Sequence, residues 1–155
     1  MDKTANRSNA QKYLKSAMQY HAKSSIRSAI EMAHKAIDIA PSFAEAYAYL
    51  GNTLVTRTRQ FDEGLQSLRH AIKLSPEDAT ILYTTGWCEE YIANALEKPR
   101  LKHQAVPENS KELYTVARLH FLKALELTSD PQLIGDIEDM LDVVAAATGQ
   151  PWQKE

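Results

Sequence analysis

The sequence predicts an all-helical fold of three helical hairpins and a closing C-terminal helix, on the strength of three observations. Glycine and proline are scarce, five and six in 155 residues, and fall at spaced positions. That composition favours long helices over a turn-rich β fold. Three segments read alike: Ala36-Ile37-Asp38-Ile39-Ala40-Pro41, Ala71-Ile72-Lys73-Leu74-Ser75-Pro76, and Ala124-Leu125-Glu126-Leu127 followed by Asp130-Pro131. Each ends one helical pattern and places a proline where the next begins, where its missing N–H would be unpaired anyway. Finally, apolar residues near the C-terminus recur at three- and four-residue spacing, as one face of a helix requires.

The elements follow in order. Residues 1–8 are polar and are expected to form a disordered tail, and residues 9–148 a single domain. Its hairpins span about 9–42, 43–77 and 78–131, the closing helix covers 131–148, and 149–155 is a C-terminal tail. Pro41 and Pro76 are 35 residues apart, whereas Ala124 lies 53 beyond Ala71, so the third unit carries an insertion. Ser42-Phe43-Ala44-Glu45 reads as a capping box, and Asn109-Ser110-Lys111-Glu112 restarts a helix after the insertion. Asp130 before Pro131 reads as an N-cap, and Gly149 before Pro151 as a stop. Between them Leu133, Ile134, Ile137, Met140, Leu141 and Val144 share a face, with Asp136, Glu138, Asp139 and Asp142 mostly opposite.

The repeated residues resemble the tetratricopeptide repeat, whose pattern W-x₂-L-G-x₂-Y, A-x₃-F, P spans about 34 residues. The middle unit is similar to it through Tyr47, Leu50, Gly51, Leu54, Gly64, Leu68, Ala71 and Pro76. The first shares Tyr13, Ala17, Tyr20, Ala29, Ala33, Ala36 and Pro41, with Ser16 in place of the usual leucine. The third keeps Leu82, Gly86, Ala117, Phe121 and Ala124, but has Thr85 for leucine and Glu89 for the later aromatic. The resemblance covers about residues 9–131 and implies an α-solenoid, in which hairpins stack because none buries its apolar face alone. Gly51, Gly86 and Ala17 are expected where helices approach closely. Gly64 costs about 1 kcal/mol against alanine inside a helix, and close contact is its expected compensation.

The resemblance also implies a concave groove lined by the first helix of each hairpin, where peptides lie. By alignment that groove offers Gln11, Leu14, Lys15 and Met18; then Glu45, Tyr49, Asn52 and Thr56; then Thr80, Tyr83, Thr84, Trp87 and Tyr91. Leu14, Met18, Tyr49, Asn52, Tyr83, Thr84, Trp87 and Tyr91 are the candidate peptide-binding residues. Tyr83, Trp87 and Tyr91 form one helical stripe. It either faces the groove, where aromatics with polar tips favour binding, or packs inside against the insertion. Chaperone-binding members of the family clamp a carboxylate with cations at positions that here are Leu14, Met18, Tyr49, Thr80 and Thr84. Without those cations little offsets a carboxylate's lost hydration, so apolar or aromatic anchors suit the groove better.

The insertion, about 97–109, is bracketed by Pro99 and Pro107 and reads as a loop. It is either ornament or functional, with Lys98, Arg100, Lys102 and His103 placed to meet an acidic partner.

Other classes find little support. The lone Cys88 excludes an intrachain disulfide and any multi-cysteine metal site, which suits a reducing compartment. The N-terminus lacks a signal peptide's apolar stretch, and no run approaches the roughly 18 apolar residues of a membrane span. A cytoplasmic, soluble protein without membrane insertion is therefore expected. No phosphate loop, dinucleotide fingerprint or zinc-protease motif occurs. The five histidines are scattered and expected at the surface or at caps, so no catalytic residue, metal or cofactor is assigned. With a sequence pI of 6.2, nucleic acid is not an expected partner.

The expected function is a non-catalytic adapter or scaffold that binds a peptide or helix. The alternative is a homo-oligomeric structural module. Residues 1–40 carry seven Lys/Arg against three Asp/Glu, and residues 125–155 one Lys against seven. A basic first repeat could thus dock head-to-tail on an acidic last helix, or Trp152 could enter a neighbour's groove.

Overall fold

A computed structural model describes residues 3–98 and 102–153. Among them are seven helices and no strand: α1 Lys3–Ala22, α2 Ile26–Ile39, α3 Ala44–Thr56, α4 Phe61–Leu74, α5 Ala79–Glu97, α6 Ser110–Leu127 and α7 Pro131–Thr148. Lys3–Ser8, expected as a disordered tail, belongs to α1. Met1, Asp2, Pro99, Arg100, Leu101, Lys154 and Glu155 lie outside the described residues, and with them part of the expected tails and insertion. No described helix is long and apolar enough to cross a membrane.

Packing is most extensive between consecutive helices, α1 on α2, α3 on α4 and α5 on α6. Smaller contacts join α2 to α3, both α3 and α4 to α5, and α6 and α5 to α7. The main core is built from Val55, Phe61, Leu65, Leu68, Ile92, Leu113, Phe121, Ile137 and Leu141 with buried alanines between them. Small residues set the closest approaches. A Cβ on Gly51 would lie 2.6 Å from Leu68 Cγ and 2.7 Å from the Gly64 carbonyl. One on Gly64 would lie 2.6 Å from Val55 Cγ2 and 2.9 Å from the Gly51 carbonyl. The two glycines therefore face each other where α3 crosses α4, and this contact offsets the helix cost of Gly64. A Cβ on Gly86 would meet the Phe121 ring at 2.9 Å.

Helix ends match the sequence in part. Asn109 and Glu112 form a reciprocal capping box, and Asp130 caps α7 through the Gln132 N–H with Pro131 in the first turn. Gly149 ends α7 at φ +72°, the left-handed conformation glycine adopts without strain. The expected capping box at Ser42 does not form. Phe43 occupies the N-cap without a side-chain bond and buries its ring with Leu14 and Ala46, so its anchoring sets the start of α3. Pro41 and Pro76 sit in the turns before α3 and α5, not in their first helical turns.

The described part of the insertion is pinned to the preceding turn. The Gln104 N–H donates to the Arg59 carbonyl at 3.1 Å, and Gln104 Oε1 accepts from the Glu63 N–H at 3.1 Å. Gln60, the N-cap residue of α4, makes no side-chain capping bond, so Gln104 supplies one from another part of the chain. The His103 ring stacks on Phe61, 5.1 Å between centroids, and Val106 packs on the core.

Candidate functional site

Four of the eight candidate residues meet in one concavity. Asn52 and Thr56 from α3 and Tyr83, Thr84 and Trp87 from α5 line a cleft of about 370 Å³. The spacing 83–84–87 on α5 and 52–56 on α3 puts each set on one helical face. Trp87 stacks on Tyr91, 5.7 Å between centroids, and Tyr91 accepts a hydrogen bond from Arg59 Nη1 at 3.2 Å. Tyr83 packs against Phe121 beneath it. The stripe is thus half-buried: all three rings pack against the core, and Tyr83 and Trp87, but not Tyr91, line the cleft.

The other candidates are dispersed. Leu14 is buried with Ala10, Ala36, Ala40 and Phe43, because its face of α1 turns toward α2 and the start of α3, so it is not a groove residue. Met18 is 51% exposed but does not line the cleft. Tyr49 ties α3 to α1: its hydroxyl donates to the Ala17 carbonyl at 3.2 Å and lies 3.1 Å from His21 Nδ1. Burial raises the pKa of Tyr49 above the usual phenol value, partly offset by Thr53 and by the Arg57 charge.

Beneath the cleft, Cys88 Sγ donates to Asn52 Oδ1 at 3.5 Å. Burial, reinforced by the Glu89 charge, pushes the thiol pKa far up, so it stays protonated and serves as a donor. Cys88 should therefore resist alkylation at neutral pH until the chain unfolds. Thiol titration with and without denaturant checks this, and rapid modification of the folded chain would contradict it.

An ionic cluster built on one buried acid of α5 is the feature the sequence concealed most. Glu89 is fully buried, with Oε1 2.6 Å from His120 Nδ1 and Oε2 3.6 Å from Arg69 Nη2. Arg69 in turn makes a paired contact with Glu108, at 3.1 and 3.0 Å. His120, expected as a surface or capping histidine, is instead a partner of the core carboxylate. Nor are His21 and His103 idle surface groups, since one meets Tyr49 and the other stacks on Phe61. The cluster draws on α4, α5, α6 and the connection before α6, and flanks a second concavity of about 400 Å³. Its sequence signal was an acid, Glu89, at a position the repeat pattern gives to an aromatic.

Among the described residues no group of three or more His, Cys, Asp or Glu is placed to hold a metal ion. The tail folds back on its own chain: the Trp152 indole N–H donates to Asp142 at 2.8 Å, and its ring packs on the core. Compared with models of known protein families the chain matches none, and no curated protein matches it.

Proposed function

We propose that the protein is a tetratricopeptide-type adapter, a non-catalytic solenoid of three hairpins and a closing helix. It holds a peptide or helix in the cleft between α3 and α5. The observation that carries this reading is the convergence of Asn52, Thr56, Tyr83, Thr84 and Trp87 on one cleft. The pairwise helix packing and the Gly51–Gly64 contact support the repeat architecture. Half-buried aromatics on a rigid helix suit recognition, because little side-chain freedom remains to be lost on binding. Cys88 engages the acceptor end of Asn52, which leaves the amide's donor end for a ligand carbonyl. Self-association through the C-terminal tail has less support, since Trp152 is already engaged within its own chain.

Thr84→Arg should abolish partner capture by filling the cleft, while the circular-dichroism melt stays near that of the parent. Trp87→Ala should weaken capture about tenfold or more, as loss of a central aromatic anchor does. Undiminished capture by both variants would rule the cleft out.

A further inference from the structure

The turn between α3 and α4 holds one residue in a conformation its type rarely adopts. Arg59 has φ +57°, in the left-handed region that favours glycine, asparagine or aspartate. Ser24 has φ +62°, and each stands two residues before the second helix of its hairpin, so the turn rather than the residue sets this backbone. What the arginine adds is its side chain. Nη1 donates to the Tyr91 hydroxyl at 3.2 Å, Nε donates to the Lys102 carbonyl at 3.3 Å, and the guanidinium lies over the Phe61 ring, 5.1 Å from its centroid. The Arg59 carbonyl is engaged as well, by the Gln104 N–H. Tyr91 meets the buried Phe61 ring edge-on at 6.3 Å, and His103 stacks on the same ring. Residues 102–104 and the α3–α4 turn thus close around Phe61 and reach Tyr91 through one guanidinium. None of Arg59, Phe61, Tyr91 and His103 lines the cleft, but Trp87, which does, stacks on Tyr91 with 19° between the ring planes.

From this chain of contacts we infer that Arg59 is a positioning residue of the cleft and that the insertion is part of the binding apparatus. Residues 102–104 hold the guanidinium, the guanidinium holds Tyr91, and Tyr91 fixes the face that Trp87 offers a ligand. The inference rests on the adapter reading and adds what sets the shape of its site. Stacking alone leaves both rings free to turn about their side-chain bonds. A hydrogen bond to the Tyr91 hydroxyl, at the far end of the ring, removes much of that freedom before a ligand arrives, so less is lost on binding. A site held in this way depends on the groups behind its lining residues as well as on the lining itself. The same contacts account for an arginine at a turn position that asparagine or glycine would suit better, and they give the added length of the third unit a role beyond packing.

The full chain carrying Trp152→Phe, in which Trp87 is the one tryptophan left, gives the direct readout. In that background Arg59→Asn, which suits the turn and lacks the guanidinium, should lower the polarisation of Trp87 emission and raise its quenching by acrylamide, while the circular-dichroism melt changes little. Tyr91→Phe, which keeps the ring and loses the acceptor, should do the same, as should His103→Ala and Gln104→Ala combined. Affinity is read with a peptide selected on the parent chain from a displayed random library and lost in Thr84→Arg. Arg59→Asn and Tyr91→Phe should each weaken its binding about three- to tenfold. The two together should weaken it no further than either alone, because both break one contact. An unchanged Trp87 signal in Arg59→Asn and Tyr91→Phe, or losses that multiply when they are combined, would overturn the positioning role and leave the adapter reading standing. A signal altered by those two and untouched by the His103 and Gln104 changes would overturn the part given to the insertion. Failure to select any peptide that depends on Trp87 and Thr84 would overturn the adapter reading, and the inference with it.

Discussion

Gly51→Leu is expected to lower the melting temperature by on the order of 10 °C and to leave much of the chain unfolded at moderate denaturant. The leucine removes the backbone cost of glycine, worth about 1 kcal/mol. Against that gain, its Cβ alone would stand 2.7 Å from the Gly64 carbonyl and 3.0 Å from the Leu68 amide nitrogen. Both are backbone atoms, so α4 must move away from α3 as a whole. Overpacking of this kind costs about 1–3 kcal/mol and more when backbone shifts, at roughly 2–4 °C per kcal/mol for a chain of this length. Gly64→Ala should act in the same direction and less, since its Cβ meets backbone less closely, 2.9 Å from the Gly51 carbonyl and 3.2 Å from the Val55 amide nitrogen. A thermal melt unchanged by Gly51→Leu would show that the two helices do not cross here.

His120→Ala should cost about 3 kcal/mol, whereas Glu89→Leu should cost far less. Removing His120 strands a fully buried carboxylate whose one remaining charge partner among the described residues is Arg69 at 3.6 Å. Stranding one member of a buried pair is among the most destabilising single changes. Removing the acid leaves no such charge. Arg69 keeps its paired contact with Glu108, and His120, partly exposed, can be solvated. Well-packed apolar replacements of buried ions are often neutral or better. Denaturant melts of both variants check the asymmetry, and equal losses would place the value of Glu89 in its volume rather than its charge.

These two sites mark what the residues disclosed and what they hid. The helices were legible because small residues, prolines and apolar spacing act within a few positions of chain, as with Gly51, Asp130 and Gly149. The Ser42 box was legible and absent, since burial of Phe43 fixes the N-cap more strongly than a surface serine bond would. Leu14 fell on the wrong side of α1 because alignment places a residue on a helix without saying which neighbour that face meets. The ionic cluster was hidden for another reason: Glu89 and His120 are 31 residues apart, and Arg69 and Glu108 are 39. No local pattern joins them. Similarly, the capping of α4 by Gln104 depends on a turn and an insertion that meet only in the folded chain.

The cleft was legible through one helix, since the spacing of Tyr83, Trp87 and Tyr91 puts them on a stripe. That Asn52 and Thr56 would complete it followed from the family resemblance rather than from spacing.

The most direct test is site-specific photo-crosslinking in the source cell, with the reactive side chain at position 84 in one variant and at position 119 in another. Thr84 lines the cleft, whereas Leu119 is 61% exposed and does not. A discrete polypeptide crosslinked from position 84 and not from 119 is the predicted result. Crosslinks from both positions alike, or from 119 alone, would contradict a binding cleft between α3 and α5.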